Sequence, residues 1–141
     1  MRTQLQKPKR IAVSGGFDPI HIGHIRMMKE ASQFGELIVF LNKDDFLMRK
    51  KSYVFMPFEQ RKEVIEAIKY VKEVIQVIDI DDTVCETLKK YKPDIFANGG
   101  DRTKDNIPEV EVCKNLGIEM KFWIGGIKIE SSSNLINKLL H

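Results

Sequence analysis

A chain of 141 residues, 43% hydrophobic and 30% charged, is long enough to bury one sizeable core and reads as a single globular domain. Its 23 basic and 20 acidic side chains leave a net charge of +3, too even a balance for a nucleic-acid surface, and no apolar run approaches the ~18 residues of a membrane span. Cys85 and Cys113 form no disulfide framework and no metal-ligand spacing, so both are read as structural thiols.

Residues 1–9 are polar and basic, without the apolar centre of a secretory leader. They are read as a flexible lead-in to one domain over 10–141, and a cytoplasmic location is expected. Arg10 to Val13 ends a β-branched strand. Ser14 to His24 is a glycine turn, and a helix then runs from near His21 to about Gly35, with Ile25, Met28 and Ala31 on one face. Glu36 to Leu41 is a continuous apolar run, the mark of a strand buried on both faces. Asn42 to Met48 leaves that strand, and Arg49-Lys50-Lys51 is read as a basic loop. Pro57 opens a helix reaching about Tyr70, Val74 to Ile78 form a third strand, and Asp81-Asp82-Thr83 cap a helix that Pro93 ends.

Asp94 to Ala97 make a fourth strand leading into the loop Asn98-Gly99-Gly100-Asp101-Arg102. Pro108 to Leu116 form a helix closed by Gly117 in the left-handed cap position. Ile118 to Ile124 are a fifth strand, and Ser131, Ser132 and Ser133 precede a last helix through Leu135 and Leu139. Strands alternate with helices throughout, which predicts an α/β fold: a single-domain, Rossmann-like, parallel five-stranded sheet with helices on both faces. Ligands of such sheets bind beyond the carboxyl ends of the strands, where the loops at Gly15, Asn42, Asn98 and Gly125 gather.

Ser14 to His24 carries the chemistry. Gly15 and Gly16 permit positive φ and close approach of a phosphate chain. His21 and His24 are three apart, so on a first helical turn their rings share a side, beside the partial positive charge of the helix start. Gly23 between them keeps the floor of the site low. Surface or capping histidines, or half of a zinc site, are the plainer readings; the preceding Gly-Gly-Phe-Asp weighs against the first, and the lack of ligand spacing against the last.

The run Gly15-Gly16-Phe17-Asp18-Pro19-Ile20-His21-Ile22-Gly23-His24 resembles the signature of the HxGH nucleotidyltransferase superfamily, typified by the cytidylyltransferases. That resemblance implies transfer of a nucleotidyl group from a nucleoside triphosphate to a small phosphorylated alcohol or sugar, with release of pyrophosphate. It implies that His21 and His24 donate to phosphate oxygens, that Lys50 or Lys51 supplies a mobile cation, and that Arg61 pairs with phosphate. It also implies nucleotide binding by Gly15, Gly16, Phe17, Asp18, Gly23, Asn98, Gly99 and Asp101, and by Ser131, Ser132 and Ser133, which resemble the family's Ser-Thr-Thr. Magnesium bridging the triphosphate, without dedicated protein ligands, and a homodimer are further expectations, with no nucleic-acid or membrane partner.

Asn98 to Arg102 resembles the loop of heptose phosphate adenylyltransferases, whereas Leu41 to Phe46 is more similar to glycerol-3-phosphate cytidylyltransferases. CTP is placed slightly ahead of ATP. Where the glycerol-phosphate enzymes carry an arginine before their serine segment stands Gly126, with Lys128 the nearest cation. A non-catalytic nucleotide-binding module is the reading from another class. A dinucleotide oxidoreductase lacks its G-x-G-x-x-G here and a P-loop kinase its G-x-x-x-x-G-K-[ST].

Overall fold

In a computed structural model the structure describes residues 8–99, 108–124 and 136. Five strands, β1 (Arg10–Gly15), β2 (Glu36–Leu41), β3 (Val71–Gln76), β4 (Ile95–Gly99) and β5 (Glu119–Ile124), alternate with α1 (Ile22–Ala31), α2 (Asp44–Lys51), α3 (Phe58–Glu66), α4 (Cys85–Tyr91) and α5 (Glu109–Leu116). All strand pairs are parallel, and the order is β3-β2-β1-β4-β5. The doubly covered parallel sheet expected from the alternation is the one found.

The β2 run is apolar because its two sides belong to different cores. Leu37, Val39 and Leu41 join Ile11 and Val13 of β1 in one cluster with Met28 and Ala31 of α1 and Ile65 of α3. Ile38 and Phe40 join Ala12 in the other, with Leu88 of α4 and Cys113 of α5. The chain leaves β1 toward β2 on one side and pairs with β4 on the other, so the strand order turns at β1 and a crevice opens at its carboxyl end.

Several boundaries differ from the sequence reading: α1 ends at Ala31 rather than near Gly35, and α3 at Glu66 rather than near Tyr70. The basic segment Arg49 to Lys51 is not a loop but the last turn of α2, whose first turn carries Asp44 and Asp45; acids at the start and bases at the end complement the helix dipole. Strand β3 begins at Val71 rather than Val74, because an edge strand tolerates the exposed Lys72 and Glu73. Helix α4 begins at Cys85, after Asp81 has instead accepted the N–H and hydroxyl of Thr83 in a turn. The Gly117 cap stands as expected, at φ 71°. The serine segment, Asp101 and the terminal helix lie outside the described residues.

Candidate active site

His21 holds the position before α1 in extended backbone. Its Nδ1 accepts from the Gly23 N–H at 3.1 Å, and Nδ1 of His24 accepts from the His21 N–H at 3.2 Å. Two imidazoles thereby close a reciprocal capping box. The rings stack with centroids 3.7 Å apart, and Phe17 meets His24 edge-on at 4.8 Å. A ring nitrogen that accepts a hydrogen bond carries no proton, so each neutral ring is the tautomer with its proton on Nε2. Capping therefore defines the donor nitrogen, at a helix start that already favours an anion.

The glycines before them work differently from expectation. Neither Gly15 nor Gly16 lies in the left-handed region; Phe17 does, at φ 50°. What the glycines allow is close packing: a Cβ on Gly16 would stand 2.6 Å from Leu47 of α2, and one on Gly15 3.0 Å from the Phe17 ring. Phe17 itself is core, 5% exposed, and its ring meets His24.

Asp18 and Arg61 are likewise buried and bonded within the chain. Asp18 is 1% exposed, and its carboxylate accepts the N–H groups of Phe55 and Met56 at 2.7 and 2.5 Å. It anchors residues 55–56 instead of facing a nucleotide. Arg61, also 1% exposed, donates to the carbonyls of Met56, Gly16 and Asn42, each at 2.8 Å, and to Asp44 Oδ1 at 2.6 Å. Four of the five guanidinium N–H groups are engaged, three by backbone oxygens and one by the Asp44 carboxylate. Arg61 sits beneath the glycine turn and ties it to the end of β2.

The two lysines separate. Lys51 donates to the Asp18 carbonyl at 2.5 Å and lies 3.7 Å from its carboxylate. Burial pushes its ammonium below the usual lysine range, with Asp18 opposing and Arg61 and Lys50 adding to the fall. Lys50 instead lines an open cleft that runs over the ends of β1, β2 and β4, from Met27 of α1 to Glu109 of α5. Gly15, Gly16, Asn98 and Gly99 also line it, so those sequence-selected residues do share one site.

Asn42, on a loop the sequence placed at this edge, and Glu109, which the sequence did not mark, also line the cleft. Asn42 offers its carbonyl to Arg61, and Glu109 is a 4% exposed acid whose Oε2 accepts the Val84 N–H at 3.0 Å. An acid as the first residue of a helix is so ordinary a placement that no local signal marks Glu109. Asp101, Ser131, Ser132 and Ser133 fall outside the described residues.

Comparison with known proteins bears on the same residues. A family model described as cytidylyltransferase-like matches residues 12–136. The chain is 35% identical over 114 residues to an FAD synthase of Pyrococcus abyssi, covering 79% of this chain and 76% of that protein. It is 32% identical over 94 residues to the glycerol-3-phosphate cytidylyltransferase of Bacillus subtilis, covering 66% and 72%. Among solved structures, a lipopolysaccharide core biosynthesis protein from Thermoplasma volcanium superposes with a TM-score of 0.70 at 25% identity, over 87% of this chain and 99% of that one.

Proposed function

The chain belongs to the cytidylyltransferase-like family of nucleotidyltransferases, and from that premise we propose that it joins a nucleoside monophosphate to a phosphate monoester at the cleft beside His21 and His24. FAD consists of AMP linked through a pyrophosphate to flavin mononucleotide. We read ATP and flavin mononucleotide as the first substrates to test, a reading supported by the FAD synthase relatives, ahead of the CTP that the sequence slightly favoured. The likeness of Asn98 to Arg102 to an adenylyltransferase loop agrees with this. The second reading, CMP transfer to glycerol 3-phosphate, rests on Leu41 to Phe46 and on the cytidylyltransferase relative.

A phosphate monoester is largely anionic at neutral pH, so its oxygen attacks the α-phosphorus without a general base. The new P–O bond forms as the bond from the α-phosphorus to the bridging oxygen breaks, and pyrophosphate leaves opposite the entering group. His21 and His24 donate from Nε2 to the α- and β-phosphate oxygens as charge moves to the leaving group. Lys50 balances the charge of the entering phosphate from the cleft wall. Magnesium, brought with the triphosphate, would supply charge neutralisation.

The observation carrying this reading is the reciprocal cap that sets both imidazoles as donors at one helix start. Pyrophosphate release with ATP or CTP, magnesium and a panel of flavin mononucleotide, glycerol 3-phosphate and sugar phosphates tests it. Release with ATP and flavin mononucleotide is expected, and His24→Ala should lower turnover by about two orders of magnitude. An unchanged rate in a folded His24→Ala protein removes the donor role, and no release with any pair leaves a binding module.

A further inference from the structure

The last turn of α2 places three cations, Arg49, Lys50 and Lys51, at consecutive positions, and the rest of the chain treats them differently. Arg49 Nε donates to Asp82 Oδ1 at 3.2 Å and Nη2 to the Asp81 carbonyl at 3.3 Å, which fastens the turn to the segment after β3. That segment is itself set, since Asp81 Oδ1 accepts the N–H and hydroxyl of Thr83 at 2.9 and 2.7 Å. Lys51 reaches elsewhere, to the Asp18 carbonyl at 2.5 Å, three residues before His21, with its ammonium 4.9 Å from the Tyr53 ring centroid. Lys50, between them, pairs with no carboxylate among the described residues. Its ammonium lies 5.5 Å from the Phe46 ring centroid, and both residues line the cleft.

Successive side chains leave a helix about 100° apart, so holding the first and third of three sets the direction of the second. Resting on the nucleotidyltransferase reading, we propose that Arg49 and Lys51 are positioning residues: fastened to Asp82 and to Asp18, they hold the last turn of α2 so that Lys50 meets a phosphate in the cleft. The start of the same helix is tied down separately, by Arg61 on Asp44 at 2.6 Å, which leaves the orientation of its last turn to these two contacts. Asp82 also lines the cleft, where a carboxylate repels phosphate. An Arg49 that merely neutralised Asp82 would be dispensable once Asp82 is gone, and an anion would then bind more tightly. An Arg49 that anchors the helix turn gives the opposite sign, because Asp82→Ala releases the turn.

Calorimetric titration into the full chain reads that sign without requiring turnover. The probes are ATP and CTP with magnesium, flavin mononucleotide and glycerol 3-phosphate, and Lys50→Ala identifies which of them Lys50 meets. For that ligand Asp82→Ala, Arg49→Gln and Lys51→Met should each weaken binding about threefold to tenfold. Arg49→Lys and Lys51→Arg, which keep a charged donor, should recover part of the loss. In a Lys50→Ala background the same substitutions should have no further effect, because they act through Lys50; loss of a nearby positive charge alone would weaken the anion with or without Lys50. Tighter binding by Asp82→Ala, or equal losses with and without Lys50, overturns the proposal. So does a fall in Tm at unchanged affinity, or a Lys50→Ala protein that binds every probe as the wild type does. Absence of pyrophosphate release from the wild type would overturn the transferase reading separately, since the affinities are measured without it.

Discussion

Two buried acids on the α4–α5 side of the sheet show opposite states of satisfaction. Asp79, before α4 and 5% exposed, accepts the Glu86 N–H at 2.7 Å, the Thr87 N–H at 3.0 Å and the Thr87 hydroxyl at 2.6 Å. It supplies the cap that α4 lacks from its own N-terminal residue. Glu109, at the start of α5, has one oxygen engaged and the other unmatched. The difference separates an acid whose carboxylate is fully engaged by the fold from one with an oxygen left unmatched. The same contrast divides the cations: Arg61 spends four of its five N–H groups beneath the glycine turn, whereas Lys50 lines the cleft.

The contrast is broken if removing a saturated group leaves stability intact. Arg61→Met strips partners from three carbonyls and from Asp44, and should cost about 3–5 kcal/mol of unfolding free energy by urea titration. Asp79→Ala uncaps α4 and should cost about 2–3 kcal/mol. Glu109→Gln, which preserves the Val84 bond, should stay within about 1 kcal/mol of wild type in the same titration. A loss there as large as that of Asp79→Ala would make Glu109 a second structural acid.

Cys113 gives the smallest effect. Burial in the α5 core, with Glu109 nearby, pushes its thiol up to about 11 from 9.0. The folded chain thus keeps a proton that the unfolded chain releases, so stability should fall as pH rises from about 9 toward about 11. Cys113→Ala should flatten that part of the wild-type profile, and alkylation of Cys113 in the native protein should stay slow at pH 8.

Much of the fold was legible from Ile11 to Val13, Glu36 to Leu41 and the helices between them, because a parallel sheet covered on both faces demands such apolar runs and such alternation. The dipole-complementing charges of α2 were equally present in the sequence, yet the basic cluster at its end drew the reading of a loop. The site was legible in its residue types and only partly in their roles. His21 and His24 stack on each other at the start of α1, and Gly15, Gly16 and Gly99 line the cleft. Asp18 and Arg61, equally part of the motif, turned inward to backbone groups that no local pattern reveals.

Residue spacing by itself determined the strand-turn-helix order and the pairing of two imidazoles on one helical turn, because both follow from periods of two and 3.6 residues that need no distant partner. Only the tertiary structure decided which charges are spent on the chain and which face the cleft. Arg61 meets Gly16 across 45 positions and Lys51 meets Asp18 across 33, and contacts over such separations exist only once the sheet has brought their elements together.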